Sequence, residues 1–505
     1  DNVRITNNDV TNEASDPLYI STAISSRNVG TSYFSLPTKI YGAMFPTNPS
    51  VGTITITGAT TDSTDIAFTE ISSSLPNGLT LNDQGAGNQT ATITGTLTDS
   101  VSSDTQTNNI RIQAKANADD KRITEVNESN GVGAVSITKK VGGKPVLFNA
   151  RRYVGISTSN NSTISQEISG FGFQPDLIWF KNIDSVNNRN HLLMDSVRGD
   201  NNWLQSQQTG EAYDGTDLDA EFRSDGFILK KGHVYFTENE KAHIAWAWKS
   251  GGAPSGTLAG SGATASLTNG VGNGTIHDSA TGVSNATSIT QSVNQNSGFS
   301  ITKFTGHASG VTIPHNLGGI PGFIIVKNLD EAQSWACWHK DLSADTGYRI
   351  SLDLNDAELQ ESPSGSGKYF PTAPNSTTIT CGTDDGQGGS TDSFICYAWK
   401  AVSGVSAFGT YTGGGSSGLS LQNIGFSPSL LIIKRTDGTG HWMMYDSKRG
   451  QSIRLYSDLS DAETDDTGTQ EFYPTFESLG FSYPSTVVHA NLNASGATYI
   501  YMAFA

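Results

Sequence analysis

Residues 172–182 read GFQPDLIWFKN, and after a polar loop residues 191–199 read HLLMDSVRG. The unit returns as GFSPSLLIIKR and HWMMYDSKRG at 425–435 and 441–450, and more loosely as GGIPGFIIVKN and WACWHKD at 318–328 and 335–341. Each copy is a Gly/Pro turn, four apolar residues ending at a lysine (Lys181, Lys327, Lys434), and a second apolar run. A unit repeated at a fixed length is an array before it is anything else. Apolar residues on both faces of a short run predict a strand buried on both sides.

Working outward, each copy opens with an aromatic strand ending in glycine: Tyr153-Val154-Gly155, Phe304-Thr305-Gly306 and Tyr411-Thr412-Gly413. Each closes with a strand of alternating size. Ile244, Trp246 and Trp248 share one face, as do Ile395, Tyr397, Trp399 and Ile500, Met502, Phe504; Ala245, Ala247, Cys396 and Ala398 lie opposite. Tyr501 breaks the pattern in the third copy. The large face is expected to fill a core, and the small face to admit another sheet or chain at close range. The turn to the last aromatic residue takes about 75 residues in every copy, so the three share one fold. The spacing leaves open whether the copies string out or close into one body.

The predicted fold is all-β and multi-domain: an immunoglobulin-like sandwich followed by three related β-sandwich repeats. Short alternating runs divided by Gly, Asn, Asp and Ser dominate, and long helical patterns are missing. At 505 residues the chain exceeds one ordinary core. Residues 1–40 are read as an extended arm or the end of an upstream domain, and 41–145 as the sandwich. The repeats are placed at 146–252, 299–402 and 403–505. Residues 253–298, rich in Gly, Ser and Thr, form a partly ordered connection. The chain starts at Asp1 without a signal peptide, so its true N-terminus is expected to be processed or to lie upstream.

A net charge of −17 and a pI near 4.9 argue against nucleic acid, which needs a basic footprint, and against an anionic membrane surface. No apolar run reaches the ~20 residues that a spanning helix needs. Three cysteines, Cys337, Cys381 and Cys396, match no zinc spacing and exclude a disulfide scaffold; Cys337 and Cys396 are read as buried thiols.

Two stretches carry family likenesses. LPNGLTLN at 75–82 with ATITGT at 91–96 resembles the immunoglobulin-like domains of bacterial and phage surface proteins, modules that serve as spacers. From about 146 to 505, GFQPDLIWFKN, HLLMDSVRG, EFRSDGFIL and AHIAWAWKSGG, with FGTYTGGG and TYIYMAFA in the last copy, resemble a repeat domain of marine tailed phages, notably cyanobacterial ones. That resemblance implies a virion structural protein: a non-enzymatic tail-fibre or appendage component that attaches to the host surface. The implied partners are other virion proteins and a host-surface glycan or protein, with homo-oligomeric, preferably trimeric, assembly. The alternatives kept open are a capsid-decorating component, a polysaccharide-degrading tailspike and a bacterial adhesin. The likeness brings no catalytic, cofactor or metal residues.

Asp195-Ser196-Val197-Arg198-Gly199 and Asp446-Ser447-Lys448-Arg449-Gly450 are read first as turns in which Asp caps its own loop and Arg pairs back to it. The middle copy has Trp338-His339-Lys340-Asp341 instead. Acidic runs (Asp214, Asp217, Asp219 and Glu221; Asp384 and Asp385; Asp458, Asp461, Glu463, Asp465 and Asp466) are of the kind that bind calcium, but lack the full loop pattern. No cofactor or metal is assigned. GxSxG, HExxH and P-loop motifs are absent. The ligand-contact candidates are the loop aromatics Trp203, Tyr213 and Tyr369, because sugar rings stack on Trp and Tyr faces.

Overall fold

The alternation of large and small side chains along each closing strand decides how the chain packs. The computed structural model describes residues 146–505, except 185–187, 215–218, 259–266, 277–282, 362–366 and 469–471, and the strands of residues 1–145. The protein is all-β; among the described residues the helical element is one 3-10 turn, Gly415–Ser417. The chain divides into two units, Asp1–Val146 and Leu147–Ala505.

Among its described strands the first unit holds two larger antiparallel sheets and the small pair Asn28–Val29 with Ser32–Tyr33. In one, the strands run Arg4–Asn7, Ile54–Thr57, Thr90–Gly95, Leu79–Asp83; in the other, Lys39–Met44, Asp16–Ala23, Val132–Lys139, Gln106–Ala116, Ile66–Ser72. Residues before 41 therefore belong to the same sheets as those after: Ile5 pairs with Ile56, and Ile20 with Ile137. The expected LTLN and TITG strands pair at Leu81 and Ile93; the turn at Pro76-Asn77-Gly78 lies outside the described residues.

In the second unit every copy builds the same four-strand core sheet: opening, closing, turn-following and third strand. These are Phe148–Val154, Ala242–Trp248, Leu177–Asn182, Leu192–Asp195 in the first copy. The second has Phe299–Thr305, Ser393–Trp399, Phe323–Asn328, Ala336–His339, and the third Ser406–Thr412, Thr498–Phe504, Leu430–Arg435, Met443–Asp446. Gly172 and Gly425 sit at φ near +84° and +83°, a conformation β-carbons disfavour, which is why glycine opens the turn. A second, smaller sheet covers the outer face of each core sheet: Thr163–Ser169 with Gly226–Lys231 and Ala220–Arg223; Val311–Pro314 with Thr378–Cys381; Leu419–Asn423 with Gly480–Tyr483 and Thr475–Glu477. The connection after the first copy supplies Val271–Ile276 and Thr287–Asn294 at one edge of the second copy's sheet, and Tyr348–Ser351 and Leu359–Gln360 at the other edge bring it to eight strands.

The small-residue faces lie under the chain's own side chains. Ala245, Ala247, Ala398 and Ala503 are fully buried, and Cys396 packs with Ile379, Phe304 and Ile313 in the second copy's outer core. Of the two covers expected for those faces, another sheet or another chain, it is a sheet of the same chain that takes them, and they offer no surface for close packing of subunits. All three thiols are free and buried.

The large faces meet in one common core. Trp246, Trp248, Tyr397, Trp399, Met502 and Phe504 belong to a single cluster with Trp179, Ile325 and Ile432 from the turn-following strands. Trp248, Trp399 and Phe504 form a triangle with ring centroids 5.4–6.4 Å apart. One aromatic from each closing strand thus stands on an approximate three-fold axis, and each copy's opening-strand phenylalanine packs behind its own (Phe148 at 5.0 Å, Phe299 at 4.7 Å, Phe408 at 6.0 Å). The three copies form one body.

A shared core predicts shared unfolding. Trp246→Ala should cost about 3–5 kcal/mol. Urea titration followed by tryptophan fluorescence should show all three copies melting in one transition at lower denaturant; loss of the first copy alone would contradict the common core.

Candidate functional site

The joints between copies come first, because they fix what the exposed loops can present. In the first copy, the Asp195 carboxylate accepts the backbone N–H groups of Val197 (3.0 Å) and Arg198 (2.8 Å) and the Arg198 Nε–H at 2.5 Å. The third copy repeats this with Asp446, Lys448 and Arg449. The Asp-to-Arg turn expected from the sequence is thus present, but both pairs are buried and face a neighbouring copy. The Tyr397 hydroxyl of the second copy donates to Asp195 at 2.8 Å. The Trp246 indole N–H of the first donates to Asp446 at 3.2 Å, with Arg449 over its ring. At the equivalent place in the middle copy stands His339. Its Nδ1 accepts the Asp341 N–H, so Nε2 carries the proton and donates to the Tyr501 carbonyl of the third copy at 3.3 Å. Burial lowers this imidazole to a pKa of about 4, so it acts as a neutral donor.

The loops after the third strands close the ring in one direction. Ala212 N–H donates to Leu329 O, Glu358 N–H to Thr436 O, and Glu463 N–H to Ile183 O. First copy reaches second, second reaches third, and third reaches first. The repeated lysines receive these loops. Lys434 donates to Asn355 O (3.3 Å) and Asp356 O (2.6 Å), and Lys181 to Ser460 O (2.8 Å). Lys327 bonds within its own copy, to Asn328 O and Glu331 O. Next to them, Trp335 and Trp442 donate their indole N–H groups to Gln205 O and Ser351 O of the preceding copy. His191 holds the same place: its Nδ1 accepts from Trp179, which leaves Nε2–H for Tyr456 O at 2.9 Å.

The rims are different. The third strand of each copy pairs with the next segment at Leu193–Leu204, Cys337–Ile350 and Met444–Leu455. The residue just before that partner is Trp203, Arg349 or Arg454, so these three positions are equivalent. Trp203 sits opposite Tyr213, and the rings stack at 4.1 Å and 9°. Trp203 is 7% exposed and Tyr213 41%. Tyr235 stands edge-on to Trp203 at 6.4 Å, with His233 at 6.1 Å. At the second rim Arg349 lies 4.5 Å over Tyr369 and 3.1 Å from Asp384; Lys368 covers the same ring at 5.4 Å. At the third, Arg454 lies 4.8 Å over Phe472 and 3.1 Å from Asp466.

Of the three sequence candidates, Trp203 and Tyr213 are therefore brought together, and Tyr369 stands in another copy, 8% exposed. Tyr235, Arg349 and Arg454 escaped sequence reading; aligning the copies on Leu204, Ile350 and Leu455 is the signal that finds them. The acidic runs are largely tied down: Asp458 accepts from His441 (2.6 Å) and the Trp442 N–H, Asp384 and Asp466 pair with arginines, and Glu221 pairs with Lys230 at 2.8 Å. Asp217 lies outside the described residues.

The chain belongs to the family described as Domain of unknown function (DUF7483), matched over residues 146–505. No curated protein and no solved structure matches it. The matched span coincides with the three-copy body and is not confined to one repeat.

Two tests address the joints. Asp446→Asn keeps the turn's acceptor but leaves the buried Arg449 without the carboxylate at its Nε, with only Glu463 at 3.6 Å as counter-charge. It should cost about 3 kcal/mol or more in urea denaturation, whereas replacing both residues by apolar ones should cost much less. The second concerns pH. Burial lowers Lys181 to a pKa of about 7, and Lys327 and Lys434 to about 8, from 10.5. A folded pKa below the unfolded one means that the unfolded chain holds more protons in between. That stability contribution is full above 10.5 and is lost as pH falls through 8 and 7. Urea midpoints should therefore rise from pH 7 to 8.5, and replacing the three lysines by Met should flatten the rise.

Proposed function

We propose that this protein is a structural component of a tailed-phage virion, part of a tail fibre or appendage, and that the three-copy body presents its rim loops to the host-cell surface. The observation that carries the reading is the split between frame and rim. Positions alike in the copies are occupied by the common core and the joints, while the equivalent rim positions differ: stacked aromatics in the first copy, and an Asp-paired arginine over an aromatic ring in the second and third. Surface recognition concentrates on such variable loops held by a rigid scaffold. The likeness to marine phage repeat domains supports the same reading. Other virion proteins, and a glycan or protein of the host surface, are its proposed partners. A homotrimer remains part of the proposal by analogy with fibres alone.

Purified full-length protein should adsorb to cyanobacterial host cells and compete with infection, and antibody against it should label the tail of intact particles. Labelling confined to the capsid, without adsorption, would favour a decorating role. Release of reducing ends from host polysaccharide, abolished by a carboxylate substitution, would overturn the non-enzymatic reading.

A further inference from the structure

We propose that the first copy carries a saccharide-binding platform, Tyr213 backed by Trp203 with Tyr235 and Asn190 at its edge, which takes an uncharged sugar residue of a surface polysaccharide, and that the body holds one such site and not three. Its biological sense rests on the attachment reading; the binding itself does not.

The Tyr213 ring lies flat on Trp203 at 4.1 Å, so one face is used and the ring is 41% exposed. Trp203 is held in turn by Tyr235 and His233. A ring pinned from behind loses little side-chain freedom when a ligand lands on it, which lowers the cost of binding. The axial C–H face of a pyranose matches such a ring, and the hydroxyls around the sugar need neutral donors and acceptors at the platform's edge. Such groups stand beside Trp203: the Asn190 amide donates to Gln205 Oε1 at 3.0 Å and lies 3.5 Å from the hydroxyl of Tyr235, the ring edge-on to Trp203. Gln207, which accepts the neighbouring His191 N–H, keeps a buried Nε2 without a partner. Among the described residues, the groups that contact the stacked pair are rings and amides, which favours an uncharged ligand over an anionic one.

The other two rims hold the same position closed. Arg349 and Lys368 both cover Tyr369, itself 8% exposed. Arg454 covers Phe472 and is fixed there by Asp466. The guanidinium stands where Trp203 does, and a second group also lies against each ring, Lys368 on Tyr369 and His489 at 4.7 Å from Phe472, so neither ring is left open as Tyr213 is. Three-fold architecture therefore comes with one-fold binding.

The test is isothermal titration and saturation-transfer NMR on the full chain. The probes are neutral polysaccharide extracted from host cells and hexasaccharides of glucose, galactose, mannose and N-acetylglucosamine. One saturable site per chain is expected, with saturation transfer from tyrosine and tryptophan rings. Tyr213→Ala should weaken binding about tenfold or more, and Tyr213→Phe should preserve it. An unchanged urea midpoint would show that both variants fold. Three sites per chain, no binding to any probe, or undiminished binding by Tyr213→Ala would overturn the proposal. Cell adsorption is measured in parallel. Adsorption without saccharide binding sinks the platform and leaves attachment standing. Saccharide binding through Tyr213 by a protein that does not adsorb sinks attachment and leaves the platform.

Discussion

The structure of residues 147–505 depends on a strand that is apolar on both faces. In every copy the turn-following strand points Leu177 and Trp179, or their counterparts, to one side and Ile178 and Phe180 to the other, and all are buried. One small outer sheet can cover only one of those faces. The other needs a partner of equal size, and two further copies of the same sheet supply it around the Trp248–Trp399–Phe504 triangle. Large aromatics suit this place because each covers a wide area with few rotamers to freeze. A copy cut from the chain would expose the face that holds Trp246 and Trp248.

Apolar faces alone do not say which copy follows which, since hydrophobic burial has no direction. The joints give the direction. Each uses a donor that must find one acceptor: the Lys434 ammonium on Asn355 and Asp356 carbonyls, the Trp442 indole on Ser351, the Tyr397 hydroxyl on Asp195. Such buried polar contacts add little net stability, but a mismatched arrangement would leave charges unpaired, and that is costly. The middle copy shows that the requirement is for a donor–acceptor match and not for a particular residue. His339 does with one neutral imidazole what Asp and Arg do elsewhere, and it donates to a main-chain carbonyl.

Much of the frame was legible in the sequence because it follows a two-residue period. Large residues alternate with small ones along the closing strands, and the structure buries the large face in the common core and the small one under an outer sheet. The Asp195–Arg198 and Asp446–Arg449 turns were legible because both members lie within one loop. What covers a buried face was not legible. Alternation reports that a face is covered, not whether the cover is the same copy, a later copy or another chain, so the small face was open to another sheet or another chain, and an outer sheet takes it. The strands Val271–Ile276 and Thr287–Asn294 hide in low-complexity sequence, because a strand that completes an existing edge needs few large side chains. The rim was the least legible. Arg349 and Arg454 open like runs, RISLDLND and RLYSDLSD, but Trp203 shares their position only in three dimensions, and no chemistry common to all three marks it.

That disparity follows from closing the ring within one chain. In a homotrimer every residue occurs three times around the axis, so any change at a rim is made in triplicate and a change at a joint is felt at all joints. Here the three copies are separate stretches of sequence. The joints must stay complementary, which restrains Lys181 and Lys434 and the loops they hold. The position before Leu204, Ile350 or Leu455 touches only its own copy's rim, and its side chain is free of that restraint. An open aromatic stack and two arginine-capped rings can therefore stand on one frame without disturbing it. A tripled fold with unequal rims is what a single chain can build and a symmetric assembly cannot.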